Sequence, residues 1–173
     1  MILSDKDIKE FIKSGDIKID PFSEKRLKQI TYHFTLNNTL VVPKPSKLFD
    51  LKSPKNEYEE ISFGDNGYVL NPGDFVLGQI AERISLSNKV ACQLDARSSL
   101  ARIGLNVLQG SLFVNPGTKD DRLTLEITNI SKSPIKIYPG LKVVKGVFML
   151  LTHAASGTAG KYSGQDDPRP KFD

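Results

Sequence analysis

The sequence predicts a mainly β fold, a distorted jelly roll or β-barrel with one short N-terminal helix. Many short apolar-alternating segments recur along the chain, each bounded by Gly, Pro or Asn. That punctuation is the mark of a sandwich or barrel. Only two stretches look helical: the N-terminus, and the run Arg97–Arg102.

Taken in order, residues 3–14 read as a helix. Ser4 is its N-cap, Asp7 closes a weakened capping box, and Ile8, Phe11 and Ile12 share one face. Gly15 ends it. Tyr32 to Leu36 alternates and runs into the Asn37-Asn38 turn; Thr39 to Val42 follows and stops at Pro43. Residues 43–60, rich in Lys, Pro, Ser and Glu, read as an exposed loop or hairpin excursion. Tyr68 to Leu70 and Phe75 to Ile80 flank an Asn-Pro-Gly-Asp turn. Leu123 to Ile127, Ile135 to Tyr138 and Leu141 to Leu151 complete the strands. The prediction is one β domain over 1–153 and a flexible tail over 154–173, Gly/Ser-rich and then charged, without the apolar surface to order itself.

Composition narrows the function classes. A chain of 173 residues with 39% hydrophobic and 25% charged residues suits one globular domain. The net charge of +4 permits an anionic ligand. No basic run carries interleaved aromatics, so a nucleic-acid partner is not expected. No segment approaches the roughly 20 apolar residues of a membrane helix, so no membrane partner is expected. The N-terminus lacks a basic region followed by an apolar core, so no signal peptide is expected. The single cysteine, Cys92, excludes an intrachain disulfide and points to a reducing cytoplasm. It lies in an alternating stretch that predicts a half-buried strand thiol rather than a nucleophile.

Arg97-Ser98-Ser99-Leu100-Ala101-Arg102 packs two guanidinium groups and two hydroxyls into six residues. Arginine offers bidentate donors to phosphate oxygens, and serine hydroxyls can complete a polyphosphate cradle. On composition alone, an amphipathic helix with solvent-facing arginines fits better. Glu126 closes the apolar alternation of Leu123-Thr124-Leu125, where a strand would hold it rigidly in a mostly apolar setting, as a proton shuttle requires. A glutamate facing water at a strand edge fits that pattern equally well. One cysteine and two histidines, His33 and His153, do not form the H-x-E with P-C-x-x-C signature of zinc deaminases, so no zinc is expected.

The run RSSLARIGL, followed by Asn115-Pro116-Gly117 and Leu123-Thr124-Leu125-Glu126, resembles the deoxycytidine triphosphate (dCTP) deaminase family of the trimeric dUTPase-like superfamily. The likeness continues in Met1–Ile8, in Asn71-Pro72-Gly73-Asp74-Phe75-Val76-Leu77, in Tyr138–Val143 and in Lys161-Tyr162-Ser163-Gly164-Gln165. It implies hydrolytic deamination of dCTP to dUTP in a cytoplasmic homotrimer, with Mg²⁺ carried by the triphosphate and dTTP as a further, inhibitory ligand. It assigns Glu126 as general acid/base, with Ser98 placing the water and Arg102 stabilising the arrangement. Arg97, Ser98, Ser99 and Arg102 would contact the triphosphate. Thr124 and Leu125 would present backbone groups to the pyrimidine, and Asn115 would meet the sugar 3′-hydroxyl. Lys161, Tyr162 and Gln165 match the tail that folds over the nucleotide, although plain disorder suits that composition better.

Several positions depart from the family pattern. Asn115 replaces an Asp, and His33 replaces another. Gly110-Ser111-Leu112-Phe113 lacks the phosphate-binding Arg of monofunctional members, and Phe113 echoes the aromatic of bifunctional ones. Thr118–Arg122 is one residue longer than the usual turn. Two alternatives stay open: a bifunctional enzyme that carries dUTP on to dUMP, favoured by Phe113, and a non-catalytic nucleotide-binding regulator, favoured by His33 and Asn115.

Overall fold

A computed structural model describes the chain except residues 46, 47, 49, 53–56, 111, 157–159, 161–163, 165, 172 and 173. The helix α1 spans Asp5–Ser14. Ser4 Oγ accepts from the Asp7 N–H, and the Asp7 carboxylate accepts from the Ser4 N–H at 2.8 Å, so the capping box is complete. Gly15 ends the helix in the left-handed region at φ 85°. Ile8 is fully buried, and Phe11 and Ile12 pack against the core.

Among the described residues thirteen strands follow: β1 Ile17–Asp20, β2 Tyr32–Thr35, β3 Thr39–Pro43, β4 Tyr58–Ser62, β5 Tyr68–Leu70, β6 Phe75–Gln79, β7 Arg83–Leu86, β8 Val90–Ala96, β9 Leu105–Asn106, β10 Phe113–Val114, β11 Thr124–Asn129, β12 Ile135–Ile137 and β13 Lys142–Leu150. A second helix, α2, covers Ser98–Ala101. All the strand pairs are antiparallel. They form four sheets, in the orders β10-β8-β13-β2, β4-β3-β6-β11-β9, β1-β7 and β12-β5. The barrel alternative is therefore corrected: these sheets do not join into one closed ladder, and the jelly-roll description stands.

One core lies between the sheets. Tyr32, Phe34 and Phe148 are its largest fully buried side chains, with Ile80, Leu105 and Leu125 beside them. Each such burial contributes about 1.5–3 kcal/mol. Cys92, expected half-buried, is fully buried, because β8 lies between β10 and β13 and its inward face meets Phe34 and Phe148 in the core. Burial pushes its thiol pKa up, which keeps it inert.

Two buried polar groups lock the frame. Glu82, completely buried, pairs with Arg26 and accepts from the Thr35 N–H at 3.0 Å and the Thr35 hydroxyl at 2.7 Å. A buried charge persists only when satisfied in this way. Asn129, at the end of β11, donates to Leu70 O and Ser133 O and accepts from the Ser131 N–H and hydroxyl. It ties the five-stranded sheet to the β12-β5 pair. Among the described residues, no helix is long and apolar enough to cross a membrane.

Candidate functional site

The strand β11 alternates strictly, with Leu125, Ile127 and Asn129 buried and Thr124, Glu126 and Thr128 half-buried on the other face. Direct partners across antiparallel strands share a face. Glu126 pairs with Leu77, Leu77 with Val41, and Val41 with Glu60, so these four form one row on the outer face. The next row carries Thr124 and Gln79. Leu125, opposite Gly78, points into the core and reaches the outer face only through its backbone.

The mostly apolar surroundings expected for Glu126 are corrected. Leu77 lies beside it, but its carboxylate faces backbone. Glu126 Oε2 accepts from the Gln109 N–H at 3.3 Å and from the Gly110 N–H at 3.4 Å. The Gln109 side chain donates to the Glu126 backbone carbonyl at 3.4 Å and to the Thr128 hydroxyl. The loop between β9 and β10 is thus clamped onto this face. Sequence reading did not name Gln109, and it named Gly110 only as the first residue of Gly110–Phe113, with no link from either to Glu126.

Arg97 is the N-cap residue of α2 and is half-buried; its guanidinium donates to Lys142 O at 3.2 Å. Ser98, Ser99 and Arg102 are exposed, and none of their side chains has a hydrogen-bond partner among the described residues. The Arg102 guanidinium and the two serine hydroxyls therefore stand exposed beyond the end of β8, beside an Arg97 whose guanidinium already donates to Lys142 O. Asn115 is exposed at the start of a tight turn, where its carbonyl accepts from the Thr118 N–H at 3.3 Å and Gly117 takes φ 79°. Its side chain has no hydrogen-bond partner among the described residues.

These groups do not converge within one chain. β10 runs antiparallel to β8 with Val114 opposite Cys92, so Asn115 lies level with Ala91. Arg97 follows the far end of that strand, about 20 Å away at strand spacing. Glu126 is likewise remote from α2. The chain leaves α2 at Gly104, which accepts from the Ile130 N–H, about 14 Å beyond Glu126 along β11.

The tail returns to the body through charge. The Gly164 N–H donates to the buried Asp121, Asp166 pairs with Arg83 and approaches Arg122 at 3.8 Å, and Arg169 pairs with Glu60 at 3.5 Å. These contacts bound a cleft of about 460 Å³ lined also by Val41 and Gln79, on the face that carries Glu126. Lys161, Tyr162 and Gln165 lie outside the described residues. Among the described residues, no three His, Cys, Asp or Glu side chains group as metal ligands.

Residues 2–151 match the family model described as dCTP deaminase-like. The chain belongs to this family. A relative from Corynebacterium jeikeium, named "dCTP deaminase, dUMP-forming", is 35% identical over 181 residues, covering 98% of this chain and 95% of that one. A relative of the same name from Persephonella marina is 31% identical, covering 95% and 93%. In fold, the family member resembles the 2′-deoxycytidine 5′-triphosphate deaminase of Agrobacterium tumefaciens, with TM-score 0.68 and 17% identity over 86% of this chain. The match spans 48% of that longer chain. A dUTPase from phage phi11 of S. aureus aligns with TM-score 0.51 and 12% identity, covering 86% of this chain and 99% of that one.

Proposed function

We propose that this protein deaminates dCTP by hydrolysis and carries the product on to dUMP, using sites shared between copies of the chain. The observation that supports the deamination is Glu126: a carboxylate held by backbone donors on the outer face of a sheet, with one oxygen without a partner among the described residues. In this reading, water adds to the ring carbon that bears the amino group. Glu126 takes one proton from the water and passes it to the neighbouring ring nitrogen; it then carries the proton of the new hydroxyl to the amino group, which leaves as ammonia as the carbonyl forms. Thr124 and Leu125 present their backbone to the pyrimidine, and Asn115 meets the sugar 3′-hydroxyl. Arg97, Ser98, Ser99 and Arg102 meet the triphosphate and the water.

The sugar and the triphosphate are adjacent in one nucleotide, whereas Asn115 and Arg97 stand about 20 Å apart in one chain. Each site therefore takes α2 from one protomer and β11 with the Asn115 turn from another. A closed homotrimer supplies three such sites. Mg²⁺ enters on the phosphate oxygens, where it neutralises charge. Residues 154–173 serve as the lid, with Lys161, Tyr162 and Gln165 closing over the nucleotide.

The relatives' dUMP-forming names support the second step, in which water attacks the phosphate next to the sugar and pyrophosphate leaves. Asn115 favours the alternative, in which the reaction stops at dUTP. An amide keeps an acceptor for the sugar but lacks the carboxylate charge that would help activate a second water. Incubation with dCTP and Mg²⁺, followed by chromatography of the nucleotides, decides the matter. The expected products are dUMP, pyrophosphate and ammonia. Accumulation of dUTP overturns the second step, and a dUMP yield that rises on Asn115→Asp assigns the loss to that residue. Unchanged dCTP overturns the whole reading.

A further inference from the structure

We infer that Gln109 and Gly110 are positioning residues for Glu126, and that the missing side chain at Gly110 keeps the reactive oxygen open. The inference rests on the deaminase reading above and names a part of the site which that reading leaves unassigned. Both backbone N–H groups converge on one oxygen, Glu126 Oε2, at 3.3 and 3.4 Å. Oε1 has no hydrogen-bond partner among the described residues. A Cβ placed on Gly110 would stand 3.2 Å from Oε1, 3.6 Å from the carboxyl carbon and 3.8 Å from Oε2. The space that a side chain at 110 would fill therefore lies over the free oxygen, where a water must approach to give up its proton.

The Gln109 side chain supplies the second half of the device. Its amide donates to the backbone carbonyl of Glu126 and to the hydroxyl of Thr128, so the loop rides on the same strand as the carboxylate it holds. Two N–H donors on one oxygen fix the rotation of the carboxylate, and a general base works only within hydrogen-bond reach of its proton. The loop thus sets which carboxylate oxygen faces the substrate. Gly110 has no positive φ, so replacing it by alanine tests the space over Oε1 without straining the backbone.

The test uses the full-length protein and three variants: Gly110→Ala, Gln109→Met and Glu126→Ala. Gly110→Ala is expected to lower kcat for dCTP about 10- to 100-fold, with KM within about twofold and the thermal midpoint unchanged, because proton transfer by a placed base is worth about 10²–10⁴-fold. Gln109→Met, which keeps the length and loses both donated hydrogen bonds, is expected to lower kcat about threefold to tenfold. A Gly110→Ala kcat equal to wild type, or a loss confined to KM, overturns the inference. Amide hydrogen exchange reads the hold directly, without turnover. The 109 and 110 amides are expected to exchange about fivefold faster or more in Glu126→Ala. Unchanged exchange overturns the inference even if dCTP is deaminated. Faster exchange with no deamination of dCTP by the unmodified protein supports the hold and counts against the deaminase reading alone.

Discussion

His33 sits on β2 opposite Lys145, half-buried, with Nδ1 buried and unpartnered. Burial and the nearby charges of Arg97, Lys142, Lys28 and Lys145 hold its imidazole below the ordinary pKa. The sign follows from linkage. Between the lowered native value and the ordinary value near 6.5, the unfolded chain binds the extra proton, so stability rises with pH there. The contribution of neutral His33 is full above about pH 6.5 and fades as pH falls through the native value. Urea unfolding at a series of pH values is expected to show this acid loss, and His33→Gln to flatten it. An identical pH dependence in both proteins would rule out His33 as its source. At this scale the sequence was partly legible. Glu126 could be named because it closes a run of alternation, whereas its surroundings could not, because Gln109 and Gly110 reach it from a loop through backbone groups. Cys92 was misjudged as half-buried because alternation within β8 does not reveal that strands flank it on both sides.

The strand β13 is the spine of the four-stranded sheet, pairing with β8 along most of its length and with β2 at its first half. Gly146 lies where all three meet. A Cβ there would stand 2.8 Å from Cys92 Sγ and 2.8 Å from the Phe34 ring, both in the packed core. Gly146→Ala is expected to destabilise the fold by about 1–3 kcal/mol, the usual cost of overpacking. The urea midpoint should fall with an unchanged slope. A midpoint equal to wild type would show that Phe34 and Cys92 yield without cost. Elements with strong punctuation were legible: α1 through its cap, β5 and β6 through the Asn71–Asp74 turn, and β13 through its length. β1 and β7 were not read. Each is four residues long, and the two are held by pairing with each other across the chain, which leaves little local trace. Residues 43–60 reach only into the start of β4, which runs on to Ser62 and whose Glu59 and Glu60 are exposed, so the segment read as a loop or hairpin excursion.

At the scale of the whole molecule, the four antiparallel sheets of the described residues set the candidate groups apart. α2 displays its hydroxyls and guanidinium groups beyond one end of β8, and Asn115 lies near the other, with Glu126 on a different sheet. Resemblance pointed to a homotrimer, but the sequence carries no distances; the strand register sets Asn115 about 20 Å from Arg97 within one chain. Among the described residues of the tail, Asp166 and Arg169 form ion pairs with Arg83 and Glu60, pairings between residues far apart in sequence that local composition does not display. The most direct test of a deaminase site shared between protomers uses two single-site variants, Arg97→Ala and Glu126→Gln. Each alone is expected to lose about 10² or more in dCTP deamination, Glu126→Gln because glutamine cannot accept the water's proton. Co-expressed in equal amounts, they should form mixed trimers in which about a quarter of the sites draw an intact α2 from one chain and an intact β11 from its neighbour. The account predicts that deamination recovers to about that fraction of the wild-type rate. A co-expressed mixture that forms mixed trimers but stays as inactive as either variant alone would contradict it.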